Sequence, residues 1–347
     1  MRIIVTGGAG YIGSHTIVDL LKIDTEVQVI DNFSNSSEKV FENIKKITGK
    51  KILYENIDLL DFNNLSAFFK KTKPSLVIHF AGLKSVSESM ENPILYYNVN
   101  VNGTINLLKA MDLISCKKII FSSSATVYGV PEYFPVDENH KCNPINTYGR
   151  TKYFIEHIIK DWSKNTNEKK AIILRYFNPA GAHETGFIGE DPKGIPNNLF
   201  PFITHVISGR EKELNVYGND YNTKDGTGVR DYIHVNDLAD AHIATIGYLL
   251  KNQKDLTINL GTGIGYSVLE IIKTVEKITN RKVRYRFGKR REGDPPILIA
   301  DPTKANQELG WEAKYVNIET IINKFLNYNG SSKINLLYVK FNSICDL

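Results

Sequence analysis

Runs of consecutive apolar residues, many of them β-branched, alternate with amphipathic stretches through the first half of this chain. Each apolar run is short and predicts a strand that is buried on both faces. The runs are RIIVTG (2–7), VQVID (27–31), KILYEN (51–56), SLVIHFAG (75–82), KKIIFSSS (117–124) and KAIILRYF (170–177). The stretches between them predict helices over 11–22, 37–47, 64–72, 92–111 and 148–162. This order indicates an α/β fold built on a doubly wound parallel Rossmann sheet.

The alternation breaks after residue 177, where two segments rich in glycine, proline and asparagine occur, at 178–198 and 218–231. Long loops of this composition in a compact protein are typical of functional segments. The stretches 235–250 and 256–261 predict a return of the chain to the main sheet. Further helix and strand patterns, at 267–279, 282–287 and 318–328, predict a smaller mixed α/β lobe.

These patterns predict two domains and a tail. The Rossmann domain is expected over 1–177, with the return segment at about 230–261. The smaller lobe is expected over 178–229 and 262–330, and the C-terminal tail over 331–347.

Composition narrows the function classes. The chain has 347 residues, of which 42% are hydrophobic and 23% charged, with a net charge of +5. The densest basic cluster, Lys289-Arg290-Arg291, is followed at once by Glu292 and Asp294, so we expect no nucleic-acid partner. This cluster is either a phosphate-binding clamp or an ordinary solvated loop. No apolar run is long enough to span a bilayer, and the N-terminal run is too short for a signal peptide. The three cysteines match no metal site and indicate a reducing, cytoplasmic compartment.

A glycine-rich turn, TGGAGYIGS, joins the first predicted strand to the first predicted helix. Its Gly7, Gly10 and Gly13 permit a tight turn, a close approach of the backbone to a pyrophosphate, and close packing of helix on strand. Asp31 ends the second strand, eighteen residues after Gly13, where it can accept hydrogen bonds from a ribose. Asn32 and the residues after it include no arginine for a 2′-phosphate, so the pattern predicts NAD rather than NADP.

Four further residues lie along the expected cofactor path. Asp58 follows the third strand and is a candidate for the adenine amino group. Ala81 and Gly82 end the fourth strand beside the path, and Lys84 is within reach of the nicotinamide side. For Asp58 and Lys84 an ordinary solvated loop residue is the competing interpretation.

Tyr148 and Lys152 are four residues apart at the start of a predicted helix and therefore share one face. A free tyrosine has a pKa of about 10, so a tyrosine base at neutral pH needs about 4 kcal/mol of phenolate stabilisation. We expect Lys152 and the positive nicotinamide ring to supply it. Ser124, at the end of strand five, is expected to hydrogen-bond the substrate hydroxyl and relay its proton.

Seven motifs, in this order, resemble the extended short-chain dehydrogenase/reductase family. They are TGGAGYIGSH, HFAGLKSV, FSSSATVYG, TYGRTK, LRYFNPAGA, RDYIHVNDLADAH and REGD, and the match runs from residue 1 to about 328. More narrowly, they resemble the UDP-glucose 4-epimerases of that family. The resemblance implies tightly held NAD, Ser124, Tyr148 and Lys152 as the catalytic set, UDP-glucose and UDP-galactose as substrates, and a homodimer formed by the helices 92–111 and 148–162. The implied reaction is oxidation at C4, rotation of the 4-keto sugar and reduction on its other face.

The resemblance also implies two sets of binding residues. The cofactor set is Gly7, Gly10, Tyr11, Ile12, Gly13, Asp31, Asn32, Asp58, Leu59, Phe80, Ala81, Gly82, Lys84, Tyr148, Lys152 and Phe177. The substrate set is Ser124, Tyr148, Tyr176, Asn178, Asn198, Leu199, Asn215, Tyr217, Arg230, Arg291 and Asp294. Within it, Arg230 and Arg291 are expected to bind the diphosphate, because guanidinium pairs bidentately with phosphate oxygens.

One position departs from the family pattern, and another bears on which sugar is accepted. Val99 lies where an NAD-contacting asparagine is common, so that contact comes from Asn98 or Asn100 or is absent. Leu298 lies near a position where a small residue admits N-acetylhexosamines, and its size predicts a preference for UDP-glucose and UDP-galactose.

The residues after Ser124 separate this chain from related enzymes. Sugar-nucleotide dehydratases carry an acid there, because elimination across C5 and C6 needs a carboxyl group. This chain has Ala125-Thr126 instead, so the oxidised sugar is expected only to be reduced again. Two alternatives stay open: an epimerase or decarboxylase acting on a UDP-hexuronate, and a non-catalytic Rossmann protein that senses the cofactor.

Overall fold

The computed structural model describes residues 1–23, 25–194, 196 and 198–328. The predicted tail, 331–347, lies outside the described residues. In the described part of the chain, no helix is both long and apolar enough to cross a membrane, and no group of three or more histidine, cysteine, aspartate or glutamate residues is arranged to hold a metal ion.

Seven parallel strands form the main sheet, in the order β10-β6-β5-β4-β1-β2-β3. They are β1 (Arg2–Thr6), β2 (Glu26–Asp31), β3 (Leu53–Asn56), β4 (Leu76–His79), β5 (Lys118–Ser124), β6 (Lys170–Tyr176) and β10 (Leu256–Leu260). The order reverses on either side of β1, as a doubly wound sheet requires. The predicted fold class is therefore confirmed.

Helices cover both faces of the sheet, as the apolar strands predict. The helices of this part are α1 (Tyr11–Leu20), α2 (Lys39–Thr48), α3 (Phe62–Thr72), α4 (Val86–Glu91), α5 (Pro93–Tyr96), α6 (Gly103–Asp112), α7 (Thr147–Lys164) and α9 (Val235–Asn252). Alternate residues of a strand enter opposite cores. Ile3 packs with Ile17 of α1 and Leu238 of α9, whereas Ile4 packs with Leu107 of α6 and Ile155 of α7.

The long helix predicted over 92–111 is interrupted. A π-helical segment, Tyr97–Asn102, separates α5 from α6. Such a segment admits an extra residue into the helix and is common at functional sites. Here it places the side chain of Asn100, which is buried, against the loop that follows β4.

The smaller lobe contains two further sheets. One is centred on β9 (Val229–His234), which pairs with β7 (Asn178–Ala180), β11 (Gly265–Ser267) and β13 (Ile297–Leu298). The other consists of β8 (Leu214–Tyr217) and β12 (Tyr285–Gly288). Three helices accompany them: α8 (Leu199–Ile207), α10 (Val268–Thr279) and α12 (Ile318–Leu326). A further helix, α11 (Thr303–Leu309), packs instead on α9 and β10 of the Rossmann part.

The predicted return segment, about 230–261, contains β9, α9 and β10. The strand β10 joins the main sheet beside β6, and α9 packs on α1. The strand β9 pairs with the short strands β7 and β11.

Candidate active site

The glycine-rich turn between β1 and α1 fits a bound dinucleotide. Gly7 has a φ of +70°, and a Cβ there would lie 2.6 Å from the backbone nitrogen of Ala81. A Cβ on Gly13 would lie 2.6 Å from the carbonyl oxygen of Gly7. Gly10, the N-cap residue of α1, makes no side-chain capping bond, so the helix presents its first turn, with Tyr11 and Ile12, to the cradle. A helix N-terminus with this open approach favours a pyrophosphate.

The carboxylate of Asp31 organises the loop beside that turn. Its Oδ2 accepts a hydrogen bond from the Ala9 backbone N–H at 3.0 Å, and its Oδ1 accepts one from the Phe33 N–H at 2.8 Å. The neighbouring Asn32 donates its side-chain amide to Asp58 Oδ2 at 2.8 Å. Leu59 is buried below them. The structure thus brings the predicted ribose and adenine residues together at the carboxyl ends of β2 and β3.

The loop after β4 lies beside the glycine-rich turn and is held by Asn100, one of the two asparagines that the sequence leaves open. The Asn100 side chain accepts from the Leu83 N–H at 2.8 Å, donates to the Leu83 carbonyl at 3.1 Å, and lies beside Gly82. Asn98 is exposed and bonds Asn102 instead. Of the two asparagines, Asn100 is therefore the one placed at the cofactor loop.

Two elements position the predicted catalytic residues. Ser124 ends β5, and its Oγ accepts hydrogen bonds from the Thr126 N–H at 3.2 Å and the Thr126 hydroxyl at 2.9 Å. Tyr148 and Lys152 lie in the first turns of α7, whose N-cap residue, Asn146, accepts from the Gly149 N–H at 2.7 Å. The three side chains meet at the carboxyl edge of the sheet.

The electrostatics of this group are dominated by burial. Burial raises the pKa of Tyr148 to about 12, against the opposing effect of its hydrogen bond with Ser124. Burial also lowers the pKa of Lys152 to about 7, against the attraction of Glu156. The Lys152 ammonium donates to the Ser122 carbonyl at 2.7 Å and lies 5.9 Å from the centroid of the Tyr148 ring. The expected lowering of the tyrosine pKa is therefore not produced by the protein alone, because desolvation of the phenolate outweighs the hydrogen bond with Ser124.

A buried polar network lies directly behind the catalytic residues. Glu156 accepts two hydrogen bonds from the guanidinium of Arg175, at 2.9 and 2.6 Å, and one from the Ser123 hydroxyl at 2.6 Å. Arg175 also donates to the Tyr128 hydroxyl at 2.9 Å, which in turn donates to Asn259 Oδ1 at 2.6 Å. The network ties α7 to β5, β6 and β10, and so fixes the strand carrying Ser124 against the helix carrying Tyr148.

The predicted diphosphate arginines share one carboxylate in the lobe. Arg291 pairs with Asp294 Oδ2 at 2.8 and 2.7 Å, and Arg230 lies 3.6 Å from Asp294 Oδ1. The Arg291 guanidinium also lies 5.3 Å from the centroid of the Tyr217 ring, which is 46% exposed. Asn215 lies two positions before Tyr217 on the strand β8, so the two side chains are on the same face of that strand. An arginine pair beside an exposed ring is a suitable site for an anionic nucleotide.

The other predicted cofactor and substrate residues lie at the ends of strands and at the start of one helix. Phe80 and Phe177 lie at the strand ends near the cradle, Phe177 buried beside Leu298. Asn178 begins β7, and Asn198 and Leu199 begin α8. The side chain of Tyr176, predicted to contact substrate, is buried, and its hydroxyl donates to His242 Nε2 at 2.7 Å. Tyr176 pairs with Ser124 in the register of β6 and β5, so the two residues lie on the same face of the sheet.

Sequence reasoning missed several residues that hold the site. Glu156 lies one helical turn after Lys152, and its sequence context, a helix with several other charged residues, does not distinguish it from a solvent-exposed glutamate. Asn146 was recognisable as a helix cap before TYGRTK, by the preference of asparagine for that position. Glu190, buried in the loop after β7, accepts hydrogen bonds from Lys84 at 2.7 Å and from the side chain of Asn198. No local pattern marked it, because its partners are distant in sequence.

Comparison with known proteins places the whole described chain in one group. A family model described as GDP-mannose 4,6 dehydratase matches residues 4–325. The chain is 52% identical over 314 residues to a UDP-glucose 4-epimerase of Bacillus subtilis (strain 168), covering 90% of this chain and 93% of that protein. It is 49% identical to the Homo sapiens UDP-glucose 4-epimerase, over 90% of this chain and 92% of that one. The structure of UDP-glucose 4-epimerase from Bifidobacterium longum, in complex with NAD+ and UDP, matches with a TM-score of 0.92 and 46% identity, covering 94% of this chain and 98% of that chain.

Proposed function

This chain belongs to the GDP-mannose 4,6-dehydratase family and, within it, to the UDP-glucose 4-epimerases, and on that premise we propose that it interconverts UDP-galactose and UDP-glucose with bound NAD. The observation that carries the proposal is the meeting of Ser124, Tyr148 and Lys152 at the carboxyl edge of the sheet, with Ala125 and Thr126 in place of an acid. The glycine turn with Gly7 and Gly13, and Asp31 beside it, would hold NAD, which would supply the acceptor and donor of the hydride exchanged with C4 of the sugar.

The protein's own groups move the proton. Tyr148 accepts the proton of the C4 hydroxyl, and Ser124, which hydrogen-bonds Tyr148, orients that hydroxyl. Because burial raises the pKa of Tyr148 to about 12 in the protein alone, the phenolate depends on positive charge beside it. Lys152 supplies one such charge, and the proposed cofactor supplies another on the nicotinamide side.

The side chain of Thr126 explains why the sugar is not dehydrated. Its hydroxyl donates to Ser124 Oγ at 2.9 Å and so keeps the serine oriented. A hydroxyl cannot act as the carboxyl acid that elimination needs. The ketone therefore stays in the pocket until it is reduced, and either product of reduction is an ordinary UDP-hexose.

The lobe holds the nucleotide rather than the reacting sugar. We propose that Arg230 and Arg291 bind the diphosphate, that Asp294 contacts the uridine ribose, and that Tyr217 and Asn215 contribute to the uridine site. The remaining substrate residues, Asn178, Asn198 and Leu199, line the entrance from β7 and α8. Firm binding far from C4 leaves the hexose free to turn over between oxidation and reduction.

We also propose that the enzyme is a homodimer in the cytoplasm. Apolar side chains of α5 and α7 are exposed on one side of the molecule: Ile94 is 79% exposed, and Leu95 and Phe154 are each 45% exposed. The rings of Tyr97 and Phe154 lie 6.0 Å apart and join the two helices into one apolar surface. Such a surface favours a second copy packed through four helices. Light scattering coupled to size exclusion should give the dimer mass, and Phe154→Glu should give the monomer.

The purified protein tests the reaction directly. Incubation with UDP-galactose deuterated at C4, without added NAD, should yield UDP-glucose that keeps the deuterium at C4. Loss of the label to solvent, or to NAD added in the medium, would contradict a captive hydride. Accumulation of a keto sugar would indicate a dehydratase, and the absence of any turnover would support a cofactor sensor.

A further inference from the structure

One segment of the chain, residues 181–194, leaves the lobe and lies across the cofactor half of the molecule. It follows β7 and stays on that surface through a series of contacts with loops far away in sequence. At its start, the Gly181 carbonyl accepts a hydrogen bond from the Tyr11 hydroxyl at 2.6 Å. In its middle, Ile188 is buried in the same core as β1, β2 and α1. The segment is thus packed on the Rossmann domain rather than on the lobe.

Other contacts of the segment reach α2 and the loop between β2 and α2. The Phe187 carbonyl accepts from the side chain of Asn43 at 3.0 Å. The Lys193 ammonium donates to the Phe33 carbonyl at 2.7 Å, and its backbone N–H donates to Asn35 Oδ1 at 3.0 Å. Phe33 and Asn35 directly follow Asp31 and Asn32, the predicted contacts of the adenosine end.

Glu190 makes the contact with the third loop, the one after β4. Its carboxylate is 4% exposed and accepts from the Lys84 ammonium at 2.7 Å. The Asn198 side chain donates to the same oxygen. A buried carboxylate with two donors is a strong anchor, because either donor alone would leave part of its charge unpaired.

The contacts of Gly181, Lys193 and Glu190 share one feature: each reaches a segment that carries predicted NAD residues. Tyr11 lies at the glycine turn, Phe33 and Asn35 lie after β2, and Lys84 lies after β4. The carboxyl ends of parallel strands are where a dinucleotide binds. A segment joined to all three loops encloses that edge from the outside.

We infer that residues 181–194 form a strap that retains NAD, and that Glu190 is the positioning residue that fastens it to the cofactor loop through Lys84. The inference rests on the proposed function and deepens it, since a cofactor that is regenerated in every turnover need not leave. Because Glu190 also bonds Asn198, the strap joins the cofactor edge to the start of α8, on the substrate side.

The test measures cofactor exchange rather than activity. Protein purified with its NAD is mixed with an excess of isotope-labelled NAD, and the bound fraction is sampled by desalting and mass spectrometry. In Glu190→Gln the charge that holds Lys84 is lost, and exchange should become about tenfold faster or more, as expected for removal of one charge-assisted bond. The matched control is Glu184→Gln, the same change at an exposed position of the strap, which should exchange at the wild-type rate.

Two further measurements separate retention from folding and from chemistry. The turnover of Glu190→Gln should recover when NAD is added in excess, which a damaged catalytic site would not do. Lys193→Ala removes an exposed side chain and should speed exchange severalfold without affecting folding. Wild-type exchange rates in both Glu190→Gln and Lys193→Ala would overturn the strap. A wild-type protein that carries no nicotinamide at all would overturn the proposed function and the strap with it.

Discussion

The polar groups around the catalytic residues and those around the nucleotide are built in opposite ways. Behind Ser124 and Lys152, Glu156 is 0% exposed and Arg175 is 3% exposed, and both are bonded within the protein. In the lobe, the Arg291 side chain is 33% exposed and Asp294 18%. The first region is fixed before any ligand arrives. The second presents charged groups that can exchange one partner for another.

This difference corresponds to two demands of the proposed reaction. Proton and hydride transfer require donor and acceptor to be held in place, which a buried network between β5, β6 and α7 provides. Turning a ketone over requires that the sugar itself be held loosely. The binding free energy must then come from the nucleotide, and the proposed contacts are Arg230, whose side chain is 14% exposed, Arg291 and the exposed Tyr217.

The largest effect should follow from removing the tyrosine hydroxyl. Tyr148→Phe keeps the ring and its packing but removes the proton acceptor, so kcat should fall by about two to four orders of magnitude, the usual contribution of a positioned acid–base group. Bound NAD should remain at the wild-type level. If the variant kept a substantial fraction of the wild-type kcat, Tyr148 would not be the proton acceptor, and the contrast between a rigid catalytic region and an adaptable nucleotide site would not hold.

A smaller effect, and one on binding, is expected in the lobe. Arg291→Ala removes a charge-assisted contact with the diphosphate and should raise KM for UDP-galactose about tenfold to a hundredfold. Because Arg291 does not reach C4, kcat should change far less than KM. Steady-state kinetics separate the two constants, and a loss confined to kcat would contradict the division of labour between the two regions.

The third prediction concerns pH and sharpens the role of the buried network. Lys152 is the charged partner of Tyr148, and burial lowers the pKa of its ammonium to about 7, while Glu156 raises it. Among its other neighbours, His79 has a pKa lowered by burial to about 3 and stays neutral. Arg175 stays positive and is bonded to Glu156. In Glu156→Gln the pKa of Lys152 should fall further, so the lysine loses its proton at lower pH.

The measurement is the pH profile of kcat. Since activity requires the protonated lysine, Glu156→Gln should move the alkaline limb of the profile to lower pH and lose more activity at pH 9 than at pH 6. Ser123→Ala is the matched control, because it removes a hydrogen bond of Glu156 but leaves the carboxylate charge. A profile of unchanged shape in Glu156→Gln, with only a uniform loss, would assign the network a packing role alone.

The sequence predicts local patterns better than contacts between distant segments, and the reason is physical. The glycine turn, Asp31 and the pair Tyr148–Lys152 are local patterns, in which neighbouring residues determine the geometry. Glu190 and the strap depend on Lys84, Asn35 and Asn43, residues more than a hundred positions away.

The smallest expected effect concerns the acyl group at C2 of the sugar. Leu298 lies on β13 and is buried in an apolar cluster with Ala125, Val127 and Phe177, next to the strand end that carries Ser124. Leu298→Ala should raise the turnover of UDP-N-acetylglucosamine relative to UDP-glucose severalfold, because it opens space beside the sugar. It should also cost about 2–5 kcal/mol of stability, since a buried leucine leaves a cavity. Ile297→Ala is the control, because adjacent strand residues face opposite ways. An equal increase in the relative turnover of UDP-N-acetylglucosamine in both variants would mean that Leu298 does not determine the selectivity for the sugar.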